Sequence, residues 1–111
     1  MYKYHYRPGY GSKNFLIEIY SGPEGKEFFG DLLSVLKEIN IQIEEINDLW
    51  MNDEFMLEFN SGIGSFLISK DIYDLVFIMA DNNPSCIETI YTLLLKDHRF
   101  EKTDVDLDAY K

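Results

Sequence analysis

The run Tyr73-Asp-Leu-Val-Phe-Ile-Met-Ala80 constrains this chain more than any other segment. It is far shorter than a membrane span. An apolar run of this length on a sheet edge would leave an adhesive strand, so it reads as a central strand buried on both faces. The rest of the fold must therefore supply strands on either side of it and helices to cover it. The flanking segments have the two periods that such a fold needs.

Tyr2, Tyr4 and Tyr6 alternate with Lys3, His5 and Arg7, the period of a strand with one aromatic face. Residues 7–12 turn the chain, and Phe15 to Tyr20 form a second strand with Phe15, Ile17 and Ile19 on one side. Ser21 and Glu24 have capping-box spacing. Phe28, Phe29, Leu32, Leu33, Leu36 and Ile39 then recur on one helical stripe, which predicts a helix over 23–40. Ile41-Gln-Ile43 resumes strand alternation, and Glu54 to Asn60 carries it on. Ser61-Gly-Ile-Gly64 is a turn rich in residues tolerant of positive φ, joining that strand to Ser65–Ser69 as a hairpin. Beyond the central run, Asn83 is placed to cap a second helix with Pro84 at its first position, and Ile87, Ile90, Tyr91 and Leu94 form its buried stripe. The segment Phe100 to Tyr110 alternates again and predicts one edge strand. Together these elements predict one α+β domain over 1–111, a two-layer sandwich of a mainly antiparallel sheet with two helices on one face.

Charge narrows the function. Ten basic and twenty acidic side chains leave a net charge of −10. Such a field repels nucleic-acid phosphates and anionic lipid and attracts basic proteins, so neither nucleic acid nor membrane is an expected partner. The charge is also polarised. Residues 1–13 carry Lys3, Arg7 and Lys13 and no acid, whereas Glu38 to Ser69 contain seven acids and no Lys or Arg. The N-terminal residues lack the apolar stretch of a signal peptide, and the lone Cys86 suits a reducing compartment, so the cytoplasm is the expected location.

Catalytic chemistry has few candidates. His5, in the basic N-terminal strand, and His98, at the end of the second helix where the dipole favours a cation, are the only histidines, and both read as structural or solvated. Cys86 falls in the first turn of the second helix, a place that can activate a thiol, but a lone thiol beside Ile87 also reads as a small apolar filler. Asp104-Val-Asp-Leu-Asp108 has the start of a calcium loop without its glycine and glutamate, and Gly62-Ile-Gly64 lacks the Lys-Ser/Thr of a phosphate loop. The expectation is a chain that is not an enzyme and holds no metal or cofactor.

The segment Glu44 to Glu54 surrounds the only tryptophan, Trp50, with acids and amides. Two readings stand for it: an aromatic anchor ringed by carboxylates that meets a basic protein surface, or a hairpin loop whose tryptophan folds into the core. The first makes Glu44, Glu45, Asp48, Trp50, Asp53 and Glu54 candidate partner-binding residues, followed by Asp71 and Asp74.

The C-terminal half has Gly62-x-Gly, the Phe77-Ile-Met-Ala-Asp81 strand, Asn83 opening a helix, Leu93-Leu-Leu95, and Phe100-Glu-Lys-x-Asp-Val-Asp-Leu-Asp-Ala-Tyr110. In these features it resembles small immunity proteins of bacterial toxin systems, including those of contact-dependent growth inhibition. The resemblance covers about half the chain and implies a cytoplasmic protein that binds a cognate toxin domain, often a basic nuclease, and blocks its active site or substrate groove. It assigns no individual contact residue. The competing expectation is an acidic adaptor or regulatory module with no toxin partner.

Overall fold

In the computed structural model the described residues are 2–9, 14–23, 25–49, 54–71, 73–80 and 83–103, with the backbone alone described for 43–49, 54 and 55. The strands are β1 (Tyr2–Pro8), β2 (Phe15–Ser21), β3 (Gln42–Leu49), β4 (Glu54–Asn60), β5 (Phe66–Lys70), β6 (Val76–Met79) and β7 (Phe100–Lys102). The helices are α1 (Phe28–Leu36), continued by a 3-10 turn over Lys37–Ile39, and α2 (Pro84–Lys96). The strands form one sheet in the order β3-β4-β5-β6-β2-β1-β7. Five neighbouring pairs are antiparallel, and the β1–β7 pair is parallel, with Tyr2 opposite Phe100 and Tyr4 opposite Lys102. The architecture is the expected α+β sandwich.

Alternation decides what each strand buries. Tyr4, Ile17, Ile19, Ile68, Val76 and Ile78 are fully buried on the face that packs against Phe28, Leu32, Leu36, Ile87, Ile90 and Leu94 of the two helices. Fully burying a side chain of this size is worth about 1.5–3 kcal/mol relative to exposure, so this one face supplies most of the driving force. The central strand departs from expectation in two ways. It begins at Val76: Tyr73 is exposed, and the Asp74 amide donates back to the Asp71 carbonyl in a turn. It is also buried fully on one face only: Phe77 and Met79 are half-buried. With both helices on the far side, this face is covered partly by long side chains, including Arg7, whose guanidinium carbon is 6.0 Å from the centre of the Phe77 ring.

The first helix is shorter than predicted. Ser21 is still paired with Lys3 in the sheet and so cannot act as a helix cap. Gly22, at φ 104°, starts a turn in which Gly25 donates its amide to the Gly22 carbonyl and Phe28 to that of Gly25. The residues that the stripe would have made helical are used up in reversing the chain, and Glu24 lies outside the described residues. At the other end Asn40 takes the left-handed conformation, φ 55°, and the Gly62 amide reaches back to the Ile39 carbonyl at 2.7 Å.

The second helix starts at Pro84 as expected, but Asn83 makes no capping hydrogen bond with its side chain. Its Nδ2 donates instead to the Ile63 carbonyl at 2.8 Å, tying the helix start to the β4–β5 turn. Gly64 in that turn has φ 120°, and a Cβ there would overlap the Asn83 amide, so two constraints require glycine at this position. The predicted C-terminal edge strand is present as β7, and its continuation over 104–110 lies outside the described residues.

Candidate protein-binding edge

Eight residues, Gln42–Leu49, form β3, the outermost strand on one side of the sheet. The strand alternation read at Ile41 to Ile43 therefore runs six residues further than expected, through Glu44, Glu45 and Asp48. These three candidates lie on a paired strand, which corrects the hairpin-loop reading for this part of the segment. Pairing with β4 overrides the weak strand propensity of the acids. The register slips between Ile43 and Glu45: Ile43 stands opposite Phe59 and Glu45 opposite Glu58, leaving Glu44 as the extra residue of a bulge. Glu54 begins β4 opposite Leu49. The side chains of Glu44, Glu45, Asp48 and Glu54, and Trp50 and Asp53 as whole residues, lie outside the described parts of the structure.

Asp71 and Asp74 are 17 or more residues beyond Glu54 in sequence, yet the sheet brings them to the same end. Phe55 on β4 pairs with Lys70 on β5, so the turn after β5 sits beside the start of β4 and the end of β3. Each of the two aspartates also has structural work. The Asp71 Oδ1 accepts from the amides of Tyr73 at 2.8 Å and Leu75 at 3.0 Å, which holds the turn closed. Asp74 has φ 62° and its carboxylate lies 2.9 Å from the Lys70 ammonium. Its charge is thus partly met within the chain, and of the two it is the weaker candidate for meeting a partner's cation.

The basic N-terminal strand lies far away. β1 is the sixth strand counted from β3, and at about 4.8 Å per strand the two are separated by roughly 24 Å. Arg7 is 5% exposed, donates from Nε to Glu18 at 3.0 Å and from Nη1 to the Pro8 carbonyl, and so is committed to its own edge. Lys13 lies outside the described residues.

A second charged cluster, not anticipated from sequence, joins the helices at the base of β7. Arg99 donates to Asp97 through Nε and Nη2, to Asp31 on α1 through Nη1 at 3.0 Å, and to the Ser34 hydroxyl. The Tyr2 hydroxyl donates to the other Asp31 oxygen at 2.5 Å. Hydrogen bonding from Arg99 pulls the Asp97 carboxyl down to about 2, against the opposing effect of burial. The bond to the Asp31 carboxylate, with burial, pushes the Tyr2 phenol up to about 12. No local signal connects Asp31 with Arg99, since 68 residues separate them. The cluster fixes α1 against β1 and the start of β7.

Cys86 and His5 are engaged in packing, and Asp104 to Asp108 lie outside the described residues. Cys86 is fully buried, and burial pushes its thiol up although a hydrogen bond with Ser61 opposes this, so the thiolate needed for nucleophilic attack is disfavoured. His5 stacks on Tyr20 with ring centres 4.4 Å apart, and its Nδ1 lies 2.9 Å from the Thr103 hydroxyl. Tyr2 packs on Phe28 and Phe100, and Tyr6 stacks on Tyr91 at 3.9 Å, so these aromatic faces are already occupied. Among the described residues there is no group of three or more His, Cys, Asp or Glu able to hold a metal, and no helix long and apolar enough to cross a membrane.

Comparison with protein-family models, curated proteins and solved structures finds no match to this chain. The candidate site therefore rests on charge, strand order and register.

Proposed function

We propose that this protein is an immunity protein of the contact-dependent growth-inhibition type, acting in the cytoplasm by binding a basic toxin domain, a nuclease in the favoured case, through its β3–β4 edge. The observation that supports this reading is strand order. The acid-rich strands β3 and β4 occupy one side of the sheet, while Lys3 and Arg7 lie on β1, with β5, β6 and β2 between. A cation-free acidic edge is the counterpart of a cleft built to hold phosphates, and opposite fields speed capture as well as strengthen it. Glu44, Glu45, Asp48, Asp53 and Glu54 supply the charge, and Trp50 supplies the aromatic anchor expected at the centre of such a contact. Asp71, just beyond the Phe55–Lys70 pair, lies beside the start of β4 and adds to that charge.

The test is binding to the C-terminal domain of the protein encoded immediately upstream, together with protection of cells that express that domain. Reversing the charge of Glu44, Glu45, Asp48 and Asp53 together should slow association on the order of tenfold or more at low salt, with the difference shrinking as salt rises. The variant should lose protection while retaining its circular-dichroism spectrum. Unchanged affinity in a folded variant would refute this interface.

A further inference from the structure

We propose that β3 binds its partner by strand addition: an extended, lysine- or arginine-bearing segment of the partner pairs with the free side of Gln42–Leu49 and extends the sheet by one strand. This deepens the reading above and depends on it for the partner's positive charge.

The pairing of β4 with β3 uses one side of that strand from Gln42 to Leu49. Among the described residues no strand pairs with the other side. A strand directs its backbone N–H and C=O groups to both sides, so about half of those on β3 face away from β4. The two edges of the sheet differ sharply. Among the described residues the far edge strand, β7, has three residues, whereas β3 has eight. Edges are usually blunted by lysine, proline or a bulge. Neither lysine nor proline occurs in β3, and its one bulge, at Glu44, leaves the stretch from Glu45 to Leu49 in regular register.

What guards this edge is negative charge, and such a guard is selective. Pairing β3 with a second copy of itself would bring Glu44, Glu45 and Asp48 against the same acids, which opposes association. A strand bearing cations meets the reverse. The charge that prevents self-pairing therefore specifies the occupant, with backbone hydrogen bonds giving affinity and alternate side chains giving selectivity.

Two synthetic octapeptides test this on the whole chain. One alternates lysine and valine; the other has the same sequence and charge with alternate backbone nitrogens methylated, which removes the donors along one edge. The first should bind at least about tenfold more tightly than the second, as loss of two or more backbone hydrogen bonds requires. On binding, every second amide between Ile43 and Leu49 should slow in hydrogen exchange. Equal binding of the two peptides, protection confined to another element, or dimerisation through β3 without peptide would each overturn strand addition. Because neither peptide is a toxin, that failure leaves the immunity reading to stand or fall on the upstream domain. Conversely, failure of the upstream domain to bind would remove that reading while the peptide result stood.

Discussion

Glu45 on β3 stands directly opposite Glu58 on β4, in the outermost pair of strands. Like charges on directly opposed residues work against an antiparallel pair by about 0.2–1 kcal/mol. Glu45→Gln should therefore raise unfolding stability within that range, read from the urea midpoint, while weakening binding of a basic partner. A fall in stability would show that this carboxylate makes a favourable contact within the chain.

Arg99 links Asp97, two residues before it, to Asp31 and Ser34 on α1, which are 65 or more residues away in sequence. Arg99→Ala should lower the denaturant midpoint, by an amount moderated by the exposure of the side chain. Arg99→Lys should recover less than half of this, because an ammonium cannot span both carboxylates as the planar guanidinium does. Denaturant titration of the two variants distinguishes a geometric role from simple charge.

The same cluster sets a pH dependence. The Asp97 carboxyl is depressed to about 2, chiefly by hydrogen bonding to Arg99, from an ordinary value of 3.8. A depressed carboxylate stabilises the fold above its unfolded value, and that contribution disappears as pH falls through the folded one. Stability should drop between pH 4 and pH 2, by about 1 kcal/mol from this group once water screening is included. Arg99→Ala should lack this component, which a comparison of unfolding midpoints across the window would detect.

Gly64 combines φ 120° with close approach to the Asn83 amide. Gly64→Ala should destabilise the protein by about 2 kcal/mol or more, from backbone strain and displacement of Asn83 from the Ile63 carbonyl. Adding Asn83→Ala should cost less in this background than in the native one, because the displaced amide is already lost. A double-mutant cycle from thermal unfolding measures the coupling. Strict additivity would refute the shared origin.

Tyr4 is fully buried, and its hydroxyl has no hydrogen-bond partner among the described residues. Burial pushes the phenol up to about 12, the expected direction for an anion denied water. Tyr4→Phe removes an unsatisfied polar atom while keeping the ring against Tyr91, and should stabilise by about 1 kcal/mol in chemical denaturation. A loss of stability would reveal a partner for the hydroxyl.

Where two local signals agreed, the sequence was a good guide. Alternation together with turn residues marked β1, β2, β4 and β5, and Pro84 after Asn83 marked the start of α2. It misled where one residue had two possible uses. Ser21 and Glu24 have the spacing of a cap, but Ser21 is held by a strand partner that only the folded chain supplies. The acids of β3 resemble a loop until pairing with β4 is known. The candidate site was legible as a cation-free stretch of chain. That the Asp71–Leu75 turn lies beside it was not, because the link runs through the Phe55–Lys70 register.

Local chemistry was enough to determine the number and kind of most elements, the face each would bury, and the unequal division of charge along the chain. These depend on side-chain period and backbone preference, which neighbouring residues set among themselves. Tertiary structure alone decided the order of strands, and with it the separation of Arg7 from the acids of β3 and the assembly of Arg99 with Asp31. Strand order is settled by pairings between distant segments, whose energies depend on how both helices cover one face at once. No window of sequence contains that information.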